Sequence, residues 1–395
     1  MSIAEQNTIH EAVEAVFEET VAQRRDFHMH PEVAFEEFRT AGVIADKLEA
    51  LGLSVQRGVA QTGVVAVLEG TQPGRTVLAR ADIDALPIHD EKDAPYRSQV
   101  DGKMHACGHD GHAAVLLSVA KLLSERRAKL SGRVLFIFQP AEEMVGGAEA
   151  MLRAGALTGI SPDAVIGLHL SSEYPLGTVA LRAGPSMAAT DSFRVVVKGS
   201  GGHAAKPHHC VDPIVSAAQL ITTLQTLVAR ETDPQDSAVV SITSVHGGTA
   251  YNIIPEAAEL KGTLRTFRPE TRTYLKERLE TLCRGVTAGL RGEAVFSWID
   301  QSPAVINDAA MTTRMQGVAA AVVGADNVVE SARTMGGDDM SLWLAQAPGC
   351  YYFVGGRGET QETAWPHHHP RFDLDERCLG IAVETLLRGV LEYLR

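Results

Sequence analysis

Short apolar runs alternate with amphipathic stretches through the first half of the chain. Residues 64–68, 75–81, 133–138 and 164–168 are rich in branched and aliphatic side chains at strand length, and they predict buried strands. Apolar positions at helical spacing predict helices over 110–127 and 376–394, and the acidic N-terminus through Glu19 has the pattern of another. Alternation of this kind predicts an α/β architecture, a sheet with helices on both faces. Ligands of such sheets gather in loops beyond the carboxyl ends of strands. Asp82, Glu142, Glu143 and His169 each follow a strand-like run and so fall in that place.

Between about 184 and 303 the periodicity changes. Residues 191–198 alternate as a half-exposed strand, 213–230 are helical, 238–245 and 257–267 read as strands, 270–290 as a helix and 294–298 as a last strand. The order strand–helix–strand–strand–helix–strand is that of a split βαβ, ferredoxin-like α+β domain. The expected organisation is a catalytic domain over 1–184 and 303–395, interrupted by a domain inserted over 185–302.

Bulk properties narrow the function classes. A chain of 395 residues exceeds one ordinary core. The net charge of −13 would repel nucleic acid and anionic lipid, leaving a small molecule as the expected partner. No basic segment followed by an apolar one opens the chain, as a secretory signal requires. The longest greasy stretch, 113–123, is short and interrupted by Ser118 and Lys121, so no membrane span is expected. Five cysteines without a pairing pattern point to a reducing, cytoplasmic compartment. Nucleophile-elbow and P-loop motifs do not occur, and there is no clean dinucleotide fingerprint.

The reactive side chains lie in a few segments. His105-Ala106-Cys107-Gly108-His109-Asp110-Gly111-His112 sets a thiol among imidazoles in a glycine-hinged turn before a helix. The glycines let Cys107 and His109 converge on one point, and thiolate and imidazole suit zinc and its first-row neighbours. Cys107 taken alone reads better as a small buried hydrophobe, and only the rest of the set makes it a ligand candidate. The strand-like run 133–138 leads into Glu142-Glu143, where one carboxylate can hold a metal while the other serves as a base; a solvated helix start is the competing reading. His169 ends another buried run, and His367-His368-His369 precede the last helix. Asp82 and Asp84 point the same way on a strand and could orient ligand imidazoles.

Taken together, these segments resemble the aminoacylase and hippurate hydrolase group of dinuclear metallopeptidases, which includes the plant hydrolases of auxin–amino acid conjugates. The resemblance runs from His30-Pro31-Glu32 to Phe372-Asp373 with several motifs in the family's order. It implies two divalent ions (zinc, manganese, cobalt or nickel) held by Cys107, His109, Glu143, His169 and His368. It implies Glu142 as general base and Asp84 as support of the metal site. His368 is preferred to His367 and His369 because the family's ligand stands two residues before the proline. Within the inserted domain, Gly201-Gly202-His203 is similar to a lid motif whose His meets the reacting carbonyl, often from a neighbouring subunit of a homodimer. Asn252, Arg265 and Gly337 match substrate-facing positions, with Arg265 suited to a substrate carboxylate. Asp338 and Met340 depart from the family's usual Glu and Phe in a loop that lines its pocket. The implied activity is cleavage of N-acyl amino acids, with carboxypeptidase or dipeptidase action at the same site as the nearest alternative. A non-catalytic metal-binding descendant would have lost the base or a ligand, and none is missing.

Overall fold

The computed structural model describes residues 3–144 and 146–395. The chain divides into two compact units: Met1–Gly184 with Ile306–Ala332 and Asp339–Arg395, and Pro185–Val305 with Arg333–Asp338.

The first unit is built on an eight-stranded mixed sheet. Its strands lie in the order Ser54–Val59, Gly63–Glu69, Ser131–Gln139, Gln72–Asp82, Ala164–Pro175, Gly349–Arg357, Val179–Leu181 and Val328–Glu330. The central strands Ser131–Gln139, Gln72–Asp82, Ala164–Pro175 and Gly349–Arg357 run parallel. They are nearly continuous apolar runs because both faces are covered. Successive strand residues point to opposite faces, and Ile166 and Gly167 show what lies on each. Ile166 reaches into space left by Gly389 of the C-terminal helix Arg377–Leu394, where a Cβ would stand 2.6 Å from Ile166 Cδ1. Gly167 leaves room on the other face for Met340, at 2.9 Å from where a Cβ would be. Met340 is therefore buried in the core. Its departure from phenylalanine bears on packing under the sheet.

Helix and strand boundaries differ from the sequence reading in instructive places. The N-terminal helix runs Ile3–Met29, because Thr20, Arg24, Phe27 and His28 continue its buried face beyond Glu19. Helices Phe38–Ala50 and Ala309–Val323 lie outside the sequence reading, and in the second alanine and valine surround the helix evenly. His169 lies within its strand, paired opposite Phe353, because the neighbouring strand carries the ladder onward. Among the described residues, no helix is long and apolar enough to cross a membrane.

The second unit holds a four-stranded antiparallel sheet in the order Ala238–Gly247, Ala257–Thr266, Ala189–Lys198, Glu293–Ser302. Helices Pro213–Leu224 and Pro269–Gly289 supply Leu220, Leu224, Leu275 and Leu279 to a core with Phe193, Val195, Val197, Leu260 and Leu264. Asp191 is buried in this strand layer and accepts from Arg272 Nε and Nη2, each at 2.8 Å, with Lys276 Nζ at 3.4 Å. Replacing Asp191 with Ala removes the acceptor of a bidentate pair and should lower stability by about 2 kcal/mol. Urea unfolding reads this directly, and an unchanged midpoint would refute it.

Candidate metal centre

Loops of the first unit, with the strand that carries His169, bring the predicted side chains together. Gly108 takes φ +93° before helix His109–Ser124, a conformation that favours glycine, and this turn sets Cys107 beside His109. Cys107 Sγ lies 3.5 Å from His169 Nε2. Candidate ligand atoms of Cys107, His109 and His169 lie within 4.8 Å of one another, as do those of Cys107, Glu143 and His368, and those of His109, Glu142 and Glu143. Two overlapping groups thus share Cys107, and two share Glu143.

Each imidazole is turned by its second nitrogen. His109 Nδ1 sits 3.0 Å from the Asp84 carbonyl and 3.2 Å from its Oδ1, while Asp84 Oδ2 accepts the Glu143 N–H at 3.0 Å. One buried carboxylate therefore orients both a histidine and the neighbouring acid. His169 Nδ1 is 2.7 Å from the Leu170 carbonyl, which leaves Nε2 as the free electron pair facing Cys107. Of the three consecutive histidines, His368 brings Nε2 to 3.2 Å from Glu143 Oε1. His367 is half-buried, its Nε2 accepting the Ser172 N–H at 3.4 Å, and His369 stacks on Trp365.

The residues fit a metal ion on their own chemistry. His109 Nε2 and Glu143 Oε1 are buried and make no hydrogen bond among the described residues, even though His368 approaches the latter. Atoms of this kind normally find partners. Burial, with the nearby charge of Glu143, pushes the Cys107 thiol well up. Burial opposes charge on His109, yet Asp82 and Asp84 hold its imidazole well above the usual range. Burial likewise opposes charge on Glu143, which His368 and His109 nonetheless hold below the usual carboxylate range. The site demands positive charge, and a divalent ion would supply it while releasing the thiol and imidazole protons.

In a third acid–imidazole group, Asp82 with His109 and His112, the acid and His112 are already hydrogen-bonded. Asp82 takes Arg80 Nη1 at 2.7 Å and His112 Nδ1 at 2.5 Å, and His112 Nε2 accepts the Leu170 N–H at 2.9 Å. These residues stiffen the strand that carries His169. Sequence reasoning gave His112 no role, although its spacing from His109 places both on one helix face. It also passed over Asp339, which receives Arg80 Nη2, Gln139 Nε2 and the Ala148 N–H, all at 2.7–2.9 Å, and so grips both ends of the turn bearing Glu142.

The remaining candidates stand on the second unit. His203 is exposed and pairs with Ile253 in a two-residue ribbon, next to Asn252, whose carbonyl accepts the Ala204 N–H at 3.0 Å. Arg265 is half-buried and makes no hydrogen bond or ion pair among the described residues. Gly337 approaches its neighbours closely, since a Cβ would fall 2.4 Å from Thr190 Cγ2.

A hydrolase of amide or peptide bonds is the class this fold and site define. The model of the Peptidase family M20/M25/M40 matches residues 78–392, and the chain belongs to that family. It is 42% identical to N-acetylcysteine deacetylase of Bacillus subtilis over 92% of this chain and 93% of that one. It is 39% identical to Thermostable carboxypeptidase 2 of Saccharolobus solfataricus over 91% of each. A solved Bacillus subtilis structure, described as a dinuclear metal binding peptidase from the M20 family, superposes with a TM-score of 0.82 at 38% identity, covering 97% of this chain and 100% of that one.

Beside this centre lies a buried carboxyl, Glu37, which burial pushes up to about 7. Between the ordinary carboxylate range and that value the folded chain holds a proton that the unfolded chain has lost, so stability falls as pH rises through this window. Glu37→Gln should therefore gain stability over wild type at pH 8, with the gain vanishing near pH 4. Denaturant midpoints at the two pH values check the sign, and a gain that grows on acidification would contradict it.

Proposed function

We propose that the protein is a metal-dependent amidohydrolase that releases amino acids from small N-acyl substrates of the N-acetyl or N-benzoyl type. The convergence of sulfur, nitrogen and oxygen donors around the buried His109 Nε2 and Glu143 Oε1, neither of which is hydrogen-bonded among the described residues, carries this reading. Similarity to an N-acetylcysteine deacetylase supports the substrate class.

Cys107, His109, Glu143, His169 and His368 would hold two divalent ions; the thiolate favours zinc, while the mixed donor set also suits manganese, cobalt or nickel. Such ions, when bound, would polarise the amide carbonyl and lower the pKa of the attacking water. Glu142 takes the proton of the attacking water and returns it to the leaving amine. Asp84 keeps His109 and Glu143 in register for these tasks. His203 Nδ1 accepts the Ala205 N–H at 3.1 Å, so its proton resides on Nε2, ready to donate to a developing oxyanion. We assign that donor to a partner subunit of a homodimer formed through the inserted domain. Exposed Val215, Val245 and Ile253 on the second unit support such a contact. Arg265, without a hydrogen bond or ion pair among the described residues, suits the substrate carboxylate, and Asn252 and Gly337 complete the proposed substrate contacts. Five unbridged cysteines support a cytoplasmic setting.

Peptidase action at the same site is the second reading, favoured by similarity to a carboxypeptidase. Amino-acid release from N-acetyl, N-benzoyl and free dipeptide substrates, before and after EDTA and with zinc or manganese restored, separates the two. Metal-dependent release from the N-acyl compounds is expected, and release from dipeptides alone would mark the protein as a peptidase. Glu142→Gln should lower kcat by about 10²- to 10⁴-fold with metal content unchanged; full retained turnover would remove Glu142 from its role.

A further inference from the structure

Glu37 occupies the N-cap position of helix Phe38–Ala50, yet its side chain makes no capping hydrogen bond. Glu32 caps the helix in its place, Oε1 accepting the Arg39 N–H at 2.9 Å and Oε2 the Thr40 N–H at 2.8 Å. This exchange frees Glu37 to turn inward. Its Oε1 accepts the Ala141 N–H at 3.0 Å and its Oε2 the Thr62 hydroxyl at 2.5 Å. Among the described residues no Lys or Arg pairs with this fully buried carboxyl. A buried acid without a cation is costly, and packing alone would be served better by an apolar residue.

The recipient of the bond explains the cost. Ala141 immediately precedes Glu142 and takes φ +54°, a left-handed conformation that costs a non-glycine residue about 1–2 kcal/mol. Its carbonyl accepts the Gly147 N–H at 3.2 Å, so the turn is closed on one side by its own chain and on the other by Glu37. Gly147 admits no side chain, because a Cβ would fall 1.7 Å from the Pro140 carbonyl oxygen. The direction in which Glu142 leaves the strand end thus depends on a carboxyl more than a hundred residues earlier in the sequence.

We propose that Glu37 is a positioning residue for the hydrolytic reaction: by holding the Ala141 amide it fixes the strained turn that aims the Glu142 carboxylate. The proposal rests on the reading of Glu142 as the base. Reach is what matters in this arrangement, since a neutral acceptor of the same length can hold the same amide. The order of variants follows. Glu37→Ala and Glu37→Asp, which cannot reach Ala141, should lose about 10- to 100-fold in kcat, the scale of a misplaced catalytic group. Glu37→Gln should keep most of the wild-type kcat. KM and the metal content per chain stay at wild-type values in all three, and hydrogen exchange at the Ala141 amide accelerates in the Ala and Asp variants alone. Glu37→Asp guards against a misfolded Glu37→Ala.

An Asp variant as active as the Gln variant would overturn the proposal. So would losses that track lost metal, or Ala141 exchange equal across the set. Wild-type protein silent on every N-acyl substrate would instead defeat the amidohydrolase reading, with the exchange measurement still deciding whether Glu37 holds the turn.

Discussion

Ionisable side chains brought together away from water carry a large desolvation penalty unless positive charge lies among them. In this protein Asp82, Asp84, Glu142 and Glu143 crowd around the imidazoles of His109, His112, His169 and His368 and the thiol of Cys107, near the ends of the central strands. Arg80 answers Asp82 and Asp339. Among the described residues no hydrogen bond answers His109 Nε2 or Glu143 Oε1. The fold tolerates the imbalance because its hydrophobic sheet, helix-covered on both sides, supplies the surplus stability. The same imbalance is what makes the place a receptor for a metal cation.

Rigid support around the centre follows from this constraint. Asp84 links His109 to the Glu143 backbone, His112 fastens Asp82 to the strand bearing His169, and Asp339 ties Gln139 to Ala148 across the Glu142 turn. Beyond them, buried Arg24 joins Asp110, in the first turn of helix His109–Ser124, to Asp373, just after His368. Lys92 adds a bond to the Phe372 carbonyl. The ligand candidates come from distant parts of the sequence, so these buried ionic links are the means by which their loops keep a common geometry.

Much of this was legible in the sequence for a physical reason. Buried parallel strands need continuous apolar runs, and a reactive group at the end of such a run can be read directly, as at Glu142 and Glu143. Glycines flanking Cys107 and His109 likewise betray a turn. The choice among His367, His368 and His369 required the family's pattern, because three adjacent imidazoles differ only in how the backbone turns; His368 itself takes φ +64°. The supporting residues were less visible. Glu37, Asp339 and Arg24 act across more than a hundred residues of chain, and no local period marks a side chain whose partner is set by tertiary packing. The burial of Met340 was hidden for the same reason, since a loop motif says nothing of whether its side chain faces solvent or the underside of a sheet.

Whether the centre is a dinuclear metal site can be decided by anomalous diffraction from crystals grown with zinc, recorded on both sides of the zinc edge. Two peaks about 3.5–4 Å apart are expected, one against His109 and the other against His368, with Cys107 or Glu143 touching both. A single peak, or ions held by Asp82 and His112 instead, would contradict this.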